Sequence, residues 1–431
     1  MPKRLLFVDD DAMILSGLRR ALHGMRGDWE MDFVGSGEAA LRALDEKPYD
    51  AIITDMRMPV MDGAQLLEHT KQRHPDVMRM VLSGQSSRAA LYRSLSLTHQ
   101  FLSKPCDPQE LASRLTQAFA TRDLLANQAL KTIVARLKSL PSLPIIYEEL
   151  TAALRLEDPS IAQLERIIAK DVGMAAKILQ LANSAFIGAS GRVTSLLQAM
   201  SLIGTEAVRM LVLSVHVFSQ FDGNPKVAAY LPVLWDHSVS TASLAQHIAT
   251  SEGVAKPLVE ECFTAGLLHD VGKAVLLSEM PVEYRLIVER KEPPAQEVGE
   301  LESTERKLLG CTHAEIGAYL MSIWGLPLPL VRAVAFHHCP AASAETEFSS
   351  LTAVHAADAI VASVDSSPLN RDTRIDLGYL EALGFGPKVE VWRGLFAADT
   401  AAKQQAMEEK LAAEKRVKES ASAAKKQASS G

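Results

Sequence analysis

Carboxylates, a hydroxyl and an amine follow short apolar runs within the first 105 residues of the chain. These polar residues are Asp9, Asp10, Asp55, Ser83 and Lys104. Buried parallel strands have such apolar sequences, and their carboxyl ends meet at one edge of the sheet. Carboxylates gathered there are costly to bury without a cation, and oxygen ligands are those that Mg²⁺ prefers. The pattern therefore predicts a Mg²⁺ site beside an acceptor carboxylate.

Strand-like runs and amphipathic stretches supply the elements that would position these groups. The strand-like runs fall near 4–8, 30–34, 51–54, 77–82 and 99–103. The amphipathic stretches lie near 12–25, 36–46, 63–73 and 86–95. Strands that alternate with helices favour a parallel sheet covered by helices. We therefore predict an α/β domain at the N-terminus.

In order and spacing, these motifs resemble the receiver domain of two-component response regulators, over residues 1–121. The resemblance implies a five-stranded parallel sheet of flavodoxin-like order 2-1-3-4-5. It also implies that Asp55 accepts a phosphoryl group from a sensor histidine kinase. The family's Mg²⁺ ligands would be Asp9, Asp10, Asp55 itself and the backbone carbonyl of Arg57. Ser83 and Lys104 would contact the phosphoryl group, and Phe101 would be the switch aromatic residue.

A second set of residues, in the C-terminal half, has the side chains that bind transition metals. The set contains His237, His269, Asp270, His313, His337, His338 and Asp358. Imidazole and carboxylate groups together are ligands for iron, manganese, zinc or nickel. Residues 145–365 read as almost entirely helical, because apolar residues recur at spacings of three and four. Several helices could therefore bring these side chains together, as helix bundles do at metal sites.

This set and the stretch Asp171–Leu213 resemble the HDOD family, a branch of the HD-domain superfamily, over residues 140–365. The resemblance implies an all-helical output domain with no generally established catalytic activity. It also implies that the set would hold iron, manganese or zinc, and that Lys273 would contact an anionic substrate. Hydrolases of cyclic di-GMP carry a Gly-Tyr-Pro signature after paired histidines, whereas here Cys339–Ala342 follows the pair.

Two functions stay open for the helical domain. One is a protein-interaction module, which the missing Gly-Tyr-Pro signature and the family resemblance favour. The other is a metal-dependent phosphohydrolase or phosphodiesterase acting on a nucleotide, which the retained ligands favour. DNA binding would need a basic recognition helix, and none is recognised in the sequence. His355 is expected to be structural, although its spacing from Asp358 would also suit a partner of the metal ligands.

The chain between the two sites predicts a helical linker over 122–141, because neither proline nor glycine interrupts residues 109–140. Its apolar stripe has heptad spacing and fits either a coiled coil or packing against the next domain. The stripe consists of Ala126, Leu130, Ile133, Leu137 and Leu140. The output domain is expected over 142–400, with its core at 142–365. Residues 401–431 are expected to form a disordered or transiently helical tail, since they have few large apolar side chains.

The composition limits the classes of partner. The chain has 431 residues, enough for two or three domains, and 48% of them are apolar. Its formal net charge of −7 favours neither nucleic acid nor an anionic membrane. Cysteines 106, 262, 311 and 339 form no Cys-x-x-Cys pair, as expected of reduced thiols in a cytoplasmic protein. The expected partners are the histidine kinase and a downstream protein, with a homodimer as an option.

Overall fold

The computed structural model describes segments of the chain that include both predicted domains. These segments are residues 2–83, 97–104, 108–124, 128–137, 141–142, 144–154, 159–183, 193–213, 219–220, 229–289, 300–365, 367–370, 373–401 and 405. The helix predicted near 86–95 lies outside them. The chain forms two compact units, one up to Asp376 and one from Leu377 onward.

A five-stranded parallel sheet forms the core of the N-terminal domain and confirms the predicted α/β fold. Its strands are β1 (Lys3–Val8), β2 (Trp29–Val34), β3 (Ala51–Asp55), β4 (Met78–Ser83) and β5 (Gln100–Ser103). Their order, β2-β1-β3-β4-β5, is the predicted 2-1-3-4-5. Val8 pairs with Val34 and with Thr54, so that β1 and β3 end at the same edge of the sheet.

Four helices cover this sheet among the described residues. They are α1 (Ala12–Ala21), α2 (Gly37–Glu46), α3 (Gly63–Arg73) and α4 (Pro108–Leu124). Leu18 of α1 and Leu111 of α4 belong to one buried apolar cluster together with Leu5 and Phe7 of β1. Each such side chain contributes about 1.5–3 kcal/mol through removal from water. The cluster therefore holds β1 in place, and with it the residues that follow β1.

The linker region contains α5 (Gln128–Arg136). Leu130 and Ile133 are buried, and α5 packs against His313–Ile323 and Val271–Glu279 of the C-terminal domain. The described part of the apolar stripe thus packs against the next domain, which was one of its two open interpretations. Three residues between α4 and α5 lie outside the described segments, so a continuous linker helix stays a prediction.

The C-terminal domain is helical, as predicted. Its main helices are α6 (Pro144–Leu154), α7 (Ile161–Ile168), α8 (Val172–Ala182), α9 (Leu196–Leu213), α10 (Tyr230–Ser251), α11 (Lys256–Leu268), α12 (Val271–Glu279), α13 (Pro281–Val288), α14 (Glu300–Leu309), α15 (His313–Ile323), α16 (Leu328–Phe336) and α17 (Ser350–Ala362). Two short strands, β6 (Pro141–Ser142) and β7 (Ser219–Gln220), pair in parallel, and the sequence did not predict them. Every residue of α8 is buried, so this helix lies in the interior.

The second unit is also helical where the structure describes it. It contains α18 (Leu377–Ala382), a short 3-10 turn at Gly386–Lys388 and a helix over 389–401. The rings of Phe385 and Trp392 stack with centroids 6.1 Å apart. Apart from residues 401 and 405, the predicted tail lies outside the described segments. No helix in the described part of the chain has both the length and the apolar character needed to cross a membrane.

Candidate functional site

The carboxyl edge of the sheet brings two aspartates and a lysine together, as the sequence predicted. Asp9 directly follows β1, Asp55 ends β3, and Lys104 directly follows β5. The Lys104 ammonium lies 2.7 Å from Asp9 Oδ2 and 2.5 Å from Asp55 Oδ1. Burial opposes the charge on Lys104, but the two carboxylates outweigh it and raise the pKa of the ammonium above its usual value. The lysine is therefore a shared cation for both aspartates.

Backbone donors orient the two buried carboxylates. The backbone N–H of Asp11 donates to Asp9 Oδ1 over 2.9 Å, and that of Arg57 donates to Asp55 Oδ2 over 3.0 Å. The Arg57 bond brings the backbone that carries the predicted carbonyl ligand next to the predicted acceptor carboxylate. Asp10, the third predicted acidic residue, is exposed beside Asp9.

The charge of this donor set fits a divalent cation. Lys104 contacts Asp9 and Asp55, and Asp10 is exposed beside Asp9, so three carboxylates and one ammonium leave a formal excess of two negative charges. Oxygen donors with such an excess of negative charge suit Mg²⁺. Ser83 ends β4 and Phe101 lies in β5, but the side chains of both lie outside the described part of the structure.

The second predicted set forms one buried cluster in the C-terminal domain. Ligand atoms in it form two groups, and the atoms of each group lie within 4.8 Å of one another. The first group is His237, His269 and Asp358, and the second is Asp270, His313, His337 and His338. The side chain of His338 is 13% exposed, and those of the other six residues are at most 2% exposed. All seven predicted ligands are thus brought together.

The Asp270 carboxylate lies between the two groups. Its Oδ2 is 3.3 Å from His269 Nε2, and its Oδ1 is 3.4 Å from His313 Nε2 and 3.7 Å from His337 Nε2. Asp358 faces the first group, with Oδ1 3.0 Å from His237 Nε2. A carboxylate that offers one oxygen to each group can serve two neighbouring cations.

Hydrogen bonds on the outer side of the histidine rings direct their Nε2 atoms inward. His269 Nδ1 is 2.7 Å from the Gly266 carbonyl, and His337 Nδ1 is 2.8 Å from the Val334 carbonyl. A carbonyl only accepts, so each Nδ1 must carry a proton, and Nε2 offers its lone pair to a metal when the ring is neutral. This arrangement is typical of histidines that bind metals.

Several inward atoms have no hydrogen-bond partner among the described residues. They are His269 Nε2, Asp270 Oδ1, His337 Nε2 and Asp358 Oδ2. In addition, His313 Nε2 and His338 Nε2 face each other at 3.0 Å. Buried polar atoms are costly when they are left without a partner. The orphaned atoms and the nitrogen and oxygen donors therefore fit one or two transition-metal ions.

Glu305 and Tyr284 support the cluster, and the sequence analysis missed both. Glu305 Oε2 lies 2.8 Å from His313 Nδ1 and accepts the backbone N–H of His313 at the same distance. Tyr284 donates its hydroxyl to Glu305 Oε1 over 3.0 Å. A glutamate on an amphipathic helix reads as a solvent-exposed residue, so only the proximity of α14 to His313 identifies it.

A glycine lets the two halves of the cluster approach. A Cβ atom on Gly272, at the start of α12, would lie 1.9 Å from the backbone oxygen of His313, at the start of α15. Only glycine allows α12 and α15 to pack this closely. The contact brings Asp270, two residues before Gly272, next to His313.

Lys273 and His355 have structural partners in this arrangement. The Lys273 ammonium is 2.7 Å from Asp270 Oδ2 and 3.4 Å from Asn370 Oδ1, so it neutralises a predicted metal ligand. His355 accepts the backbone N–H of Asp376 at Nε2 over 2.8 Å. Its Nδ1 is therefore protonated and donates to the His337 carbonyl over 2.6 Å. His355 fixes the backbone beside the paired histidines and is not one of the grouped ligands.

Charges within the cluster divide the histidines by protonation. Burial alone would lower the pKa of His269, but Asp270 and Asp358 raise it to about 10. Burial and the neighbouring His337 lower the pKa of His338 well below its usual value. Despite burial, His269 and Lys273 hold the pKa of Asp270 well below its ordinary range. The carboxylates are thus ionised and attract cations, whether protons or metal ions.

Two protein families match the two domains. The response regulator receiver domain matches residues 5–116, and the HDOD domain matches residues 140–340. The transcriptional regulatory protein QseB of Haemophilus influenzae is 32% identical over 115 residues, which is 26% of this chain and 50% of QseB. An uncharacterized protein of Treponema pallidum is 27% identical over 210 residues, which is 48% of this chain and 39% of that protein. The chain thus spans half or less of the length of these two relatives.

One solved structure is similar in sequence to part of this chain. The MmoQ response regulator of Methylococcus capsulatus is 27% identical, and the match covers 59% of this chain and 98% of that one, with a TM-score of 0.44. The receiver match contains Asp9, Asp55 and Lys104, and the HDOD match contains every grouped ligand except Asp358. The chain therefore joins a response regulator receiver domain to an HDOD domain, which is the domain composition of a two-component response regulator.

Proposed function

We propose that Asp55 accepts a phosphoryl group and thereby controls the HDOD domain. The observation that supports this most directly is the shared ammonium of Lys104, 2.5 Å from Asp55 and 2.7 Å from Asp9. A carboxylate held by a backbone N–H and a lysine at a sheet edge is fixed in place for attack on phosphorus. As the bond from an Asp55 carboxylate oxygen to phosphorus forms, the bond from phosphorus to the phosphohistidine nitrogen of the donor kinase breaks.

Each residue of the edge has a separate role in this proposal. Mg²⁺, held by Asp9, Asp10 and the carbonyl of Arg57, would neutralise negative charge during transfer. Lys104 would exchange its contact with the Asp55 carboxylate for one with the phosphoryl oxygens, which add a charge of about −1.5 to −2. Ser83 would donate its hydroxyl to the same oxygens. The phosphoryl donor would be the phosphohistidine of a sensor histidine kinase.

Phosphorylation in the test tube can check the assignment of Asp55. Acetyl phosphate with Mg²⁺ is expected to add one acid-labile phosphoryl group to the intact chain, seen as a mass increase. Asp55→Asn should abolish that increase, because an amide oxygen is a poor nucleophile. Asp28→Asn, at an exposed aspartate distant from Lys104, is the matched control and should label normally. Labelling that persists in Asp55→Asn would contradict the assignment.

For the HDOD domain, the orphaned inward atoms support binding of one or two ions of iron, manganese or zinc. The first group, with His237, would hold one ion, and the second, with His313, would hold the other. Asp270 would contribute one oxygen to each. The near-complete burial of these ligands leaves little room for a substrate, and Lys273 is already engaged by Asp270. These observations favour a metal centre that stabilises an interaction module.

A metal-dependent phosphohydrolase acting on a nucleotide is the second candidate, because all predicted ligands are retained in one cluster. The two functions differ in a simple assay. Protein loaded with iron, manganese or zinc in turn would be incubated with bis(p-nitrophenyl) phosphate and with mono- and cyclic dinucleotides. The interaction module predicts no turnover above that of a variant with both His269→Ala and Asp270→Ala. Turnover that this variant loses would favour the hydrolase.

A further inference from the structure

The two domains meet at a contact that we call the joint. Its receiver side consists of Arg79 in β4 and the stretch Thr98–Gln100, which leads into β5. Its HDOD side consists of Lys177 and Gln180 in α8 and the turn Trp324–Gly325 after α15. The amide of Gln180 donates to the backbone carbonyls of Thr98 over 3.4 Å and His99 over 3.3 Å. Gln100 packs against Gly325, so that the edge of the receiver sheet lies on the helical domain.

A buried lysine lies at the joint without a carboxylate among the described residues. Lys177 is 4% exposed, and its ammonium donates to Gln180 Oε1 over 3.0 Å. The ammonium also lies 4.3 Å from the centre of the Trp324 ring. An amide oxygen and an aromatic face compensate a buried charge less well than a carboxylate does. Lys177 therefore makes closure of the joint less favourable.

Arg79 adds a second buried cation on the receiver side. It is 3% exposed, and its guanidinium donates to three backbone carbonyls, those of Leu97 over 2.7 Å and of Pro75 and Val77 over 3.2 Å. No described carboxylate pairs with it. Its backbone N–H and side chain also approach the two ring nitrogens of His99, at 3.0 and 2.9 Å. A neutral imidazole can accept only one of these N–H groups.

Two further polar atoms at the joint lack partners in the described part of the structure. They are Thr98 Oγ1 and Gln100 Oε1, and both are buried. Buried polar atoms without hydrogen bonds lose the interactions that they have in water. The joint thus combines a buried lysine on the HDOD side with two orphaned polar atoms on the receiver side, and its opening would return these groups to solvent.

One short strand connects the joint to the phosphorylation site. β5 runs from Gln100, which contacts Gly325, to Ser103, and Lys104 follows immediately. A strand of this length spans about 13 Å and is rigid along its axis. A movement of Lys104 from the Asp55 carboxylate toward a phosphoryl group would therefore displace the strand that carries Gln100.

We propose that the joint is an autoinhibitory contact, which holds the HDOD surface around Lys177, Gln180 and Trp324 against the receiver and opens when Asp55 is phosphorylated. The proposal rests on the proposed function of Asp55. The joint would pass the signal to the HDOD domain through a direct contact between the domains, in addition to the linker helix. A contact with uncompensated buried charge is a bistable element that a small local change can release.

Hydrogen exchange of the full chain tests the opening. Amides in 97–104 and 172–183 should exchange about tenfold faster after acetyl phosphate and Mg²⁺, a change of about 1.4 kcal/mol. Intact-protein mass spectrometry of the same samples counts the phosphoryl groups. Labelled protein with unchanged exchange would overturn the joint proposal and leave the function of Asp55 intact. Protein that is not labelled at Asp55 would overturn both.

Two variants test the joint without phosphorylation. Lys177→Met keeps the length of the side chain and removes the buried charge, so exchange in both segments should slow. Gln180→Leu removes the bonds to the carbonyls of Thr98 and His99, so exchange there should accelerate. Lys170→Met, at an exposed lysine paired with Glu149, is the matched control and should exchange like the unaltered chain. Identical exchange in Lys177→Met and Lys170→Met would show that the joint is not strained.

Discussion

At the scale of single residues, both sites use one charged group to hold two others. Lys104 lies between Asp9 and Asp55, and Asp270 lies between two groups of histidines. In each case the shared group can change partners when a new charge arrives. A phosphoryl group would draw Lys104 away from its carboxylates, and a metal ion would replace the protons around Asp270. The chemistry of both sites therefore depends on exchange of a charged partner.

Substitution of Lys104 should separate Mg²⁺ binding from the response to phosphorylation. Lys104→Met removes a cation that competes for the same carboxylates, so we expect Mg²⁺ affinity to rise by about tenfold, or about 1.4 kcal/mol. Mg²⁺ titration followed by the fluorescence of Trp29, which is buried in the receiver core, would measure this. Exchange in 97–104 should then respond weakly to acetyl phosphate, since no ammonium remains to move. Weaker Mg²⁺ binding in Lys104→Met would contradict this account.

Substitution of Glu305 should weaken metal binding without removing a ligand. Glu305→Gln keeps an acceptor for His313 but removes the charge behind the ring, so affinity should fall by about 10- to 100-fold. Competition with a coloured chelator would measure the change. Glu302→Gln, on the same helix, makes no contact with His313 in the described structure and should leave the affinity unchanged. Equal metal affinities for the two variants would show that the charge of Glu305 does not contribute to metal binding.

At the scale of the elements, close approach of α12 and α15 assembles the cluster. Gly272→Ala would place a methyl group 1.9 Å from the backbone oxygen of His313. We expect it to lower the free energy of unfolding by about 3 kcal/mol and to reduce metal content, because the helices must separate. Gly17→Ala, in α1 with nothing near the added Cβ, should be neutral or slightly stabilising. Thermal unfolding and metal analysis of both variants would measure these two effects.

The effect of pH on α8 follows from the buried lysine. Burial, reinforced by the nearby Lys71 ammonium, lowers the pKa of Lys177 to about 7. The unfolded chain keeps the usual value near 10.5 and so binds more protons between these pH values. Stability should therefore rise with pH across this window. Lys177→Met should have a larger free energy of unfolding than the unaltered chain at pH 7, and this advantage should shrink toward pH 10. An advantage that is independent of pH would show that folding does not lower the pKa of Lys177, so that the side chain stays charged when folded.

The sequence predicted elements well where local pattern decides them. The apolar runs that end in Asp9 and Asp55 identified the strands and their common edge, because buried parallel strands leave a distinctive pattern. The ligands from His237 to Asp358 were identified by family resemblance, since spacing alone does not show which helices converge. Glu305 and the joint were missed, because both depend on contacts between segments distant in sequence. A buried lysine such as Lys177 has no signature in a single sequence.

At the scale of the whole molecule, the receiver site and the histidine–aspartate cluster lie in different domains, which the proposed joint connects. The receiver site lies at one edge of the sheet, and β5 carries its state to the joint. The histidine–aspartate cluster lies among α10, α11, α15 and α17, which the joint reaches through α15 and the turn at Trp324. A stable centre would keep α15 rigid, so that movement at the joint is not absorbed within the helical domain.

Removal of the metal should therefore lower stability and leave phosphorylation intact. An ion present at about 100 times its dissociation constant contributes about 2.7 kcal/mol, which corresponds to a fall in Tm of about 5–10 °C on chelation. The variant with both His269→Ala and Asp270→Ala should have a low Tm that chelators do not change. Labelling of Asp55 should be the same in all samples, because its ligands belong to the receiver.

The same samples also test the connection between the two sites. If a rigid α15 is needed at the joint, chelated protein should still be phosphorylated, but the difference in exchange at 172–183 between labelled and unlabelled protein should shrink. Restored metal should restore that difference, which separates loss of the ion from irreversible unfolding. Purified protein with less than about one-tenth of an equivalent of any transition metal, and a Tm that chelators do not change, would show that the histidines are structural. The interaction module would then work through packing and hydrogen bonds alone.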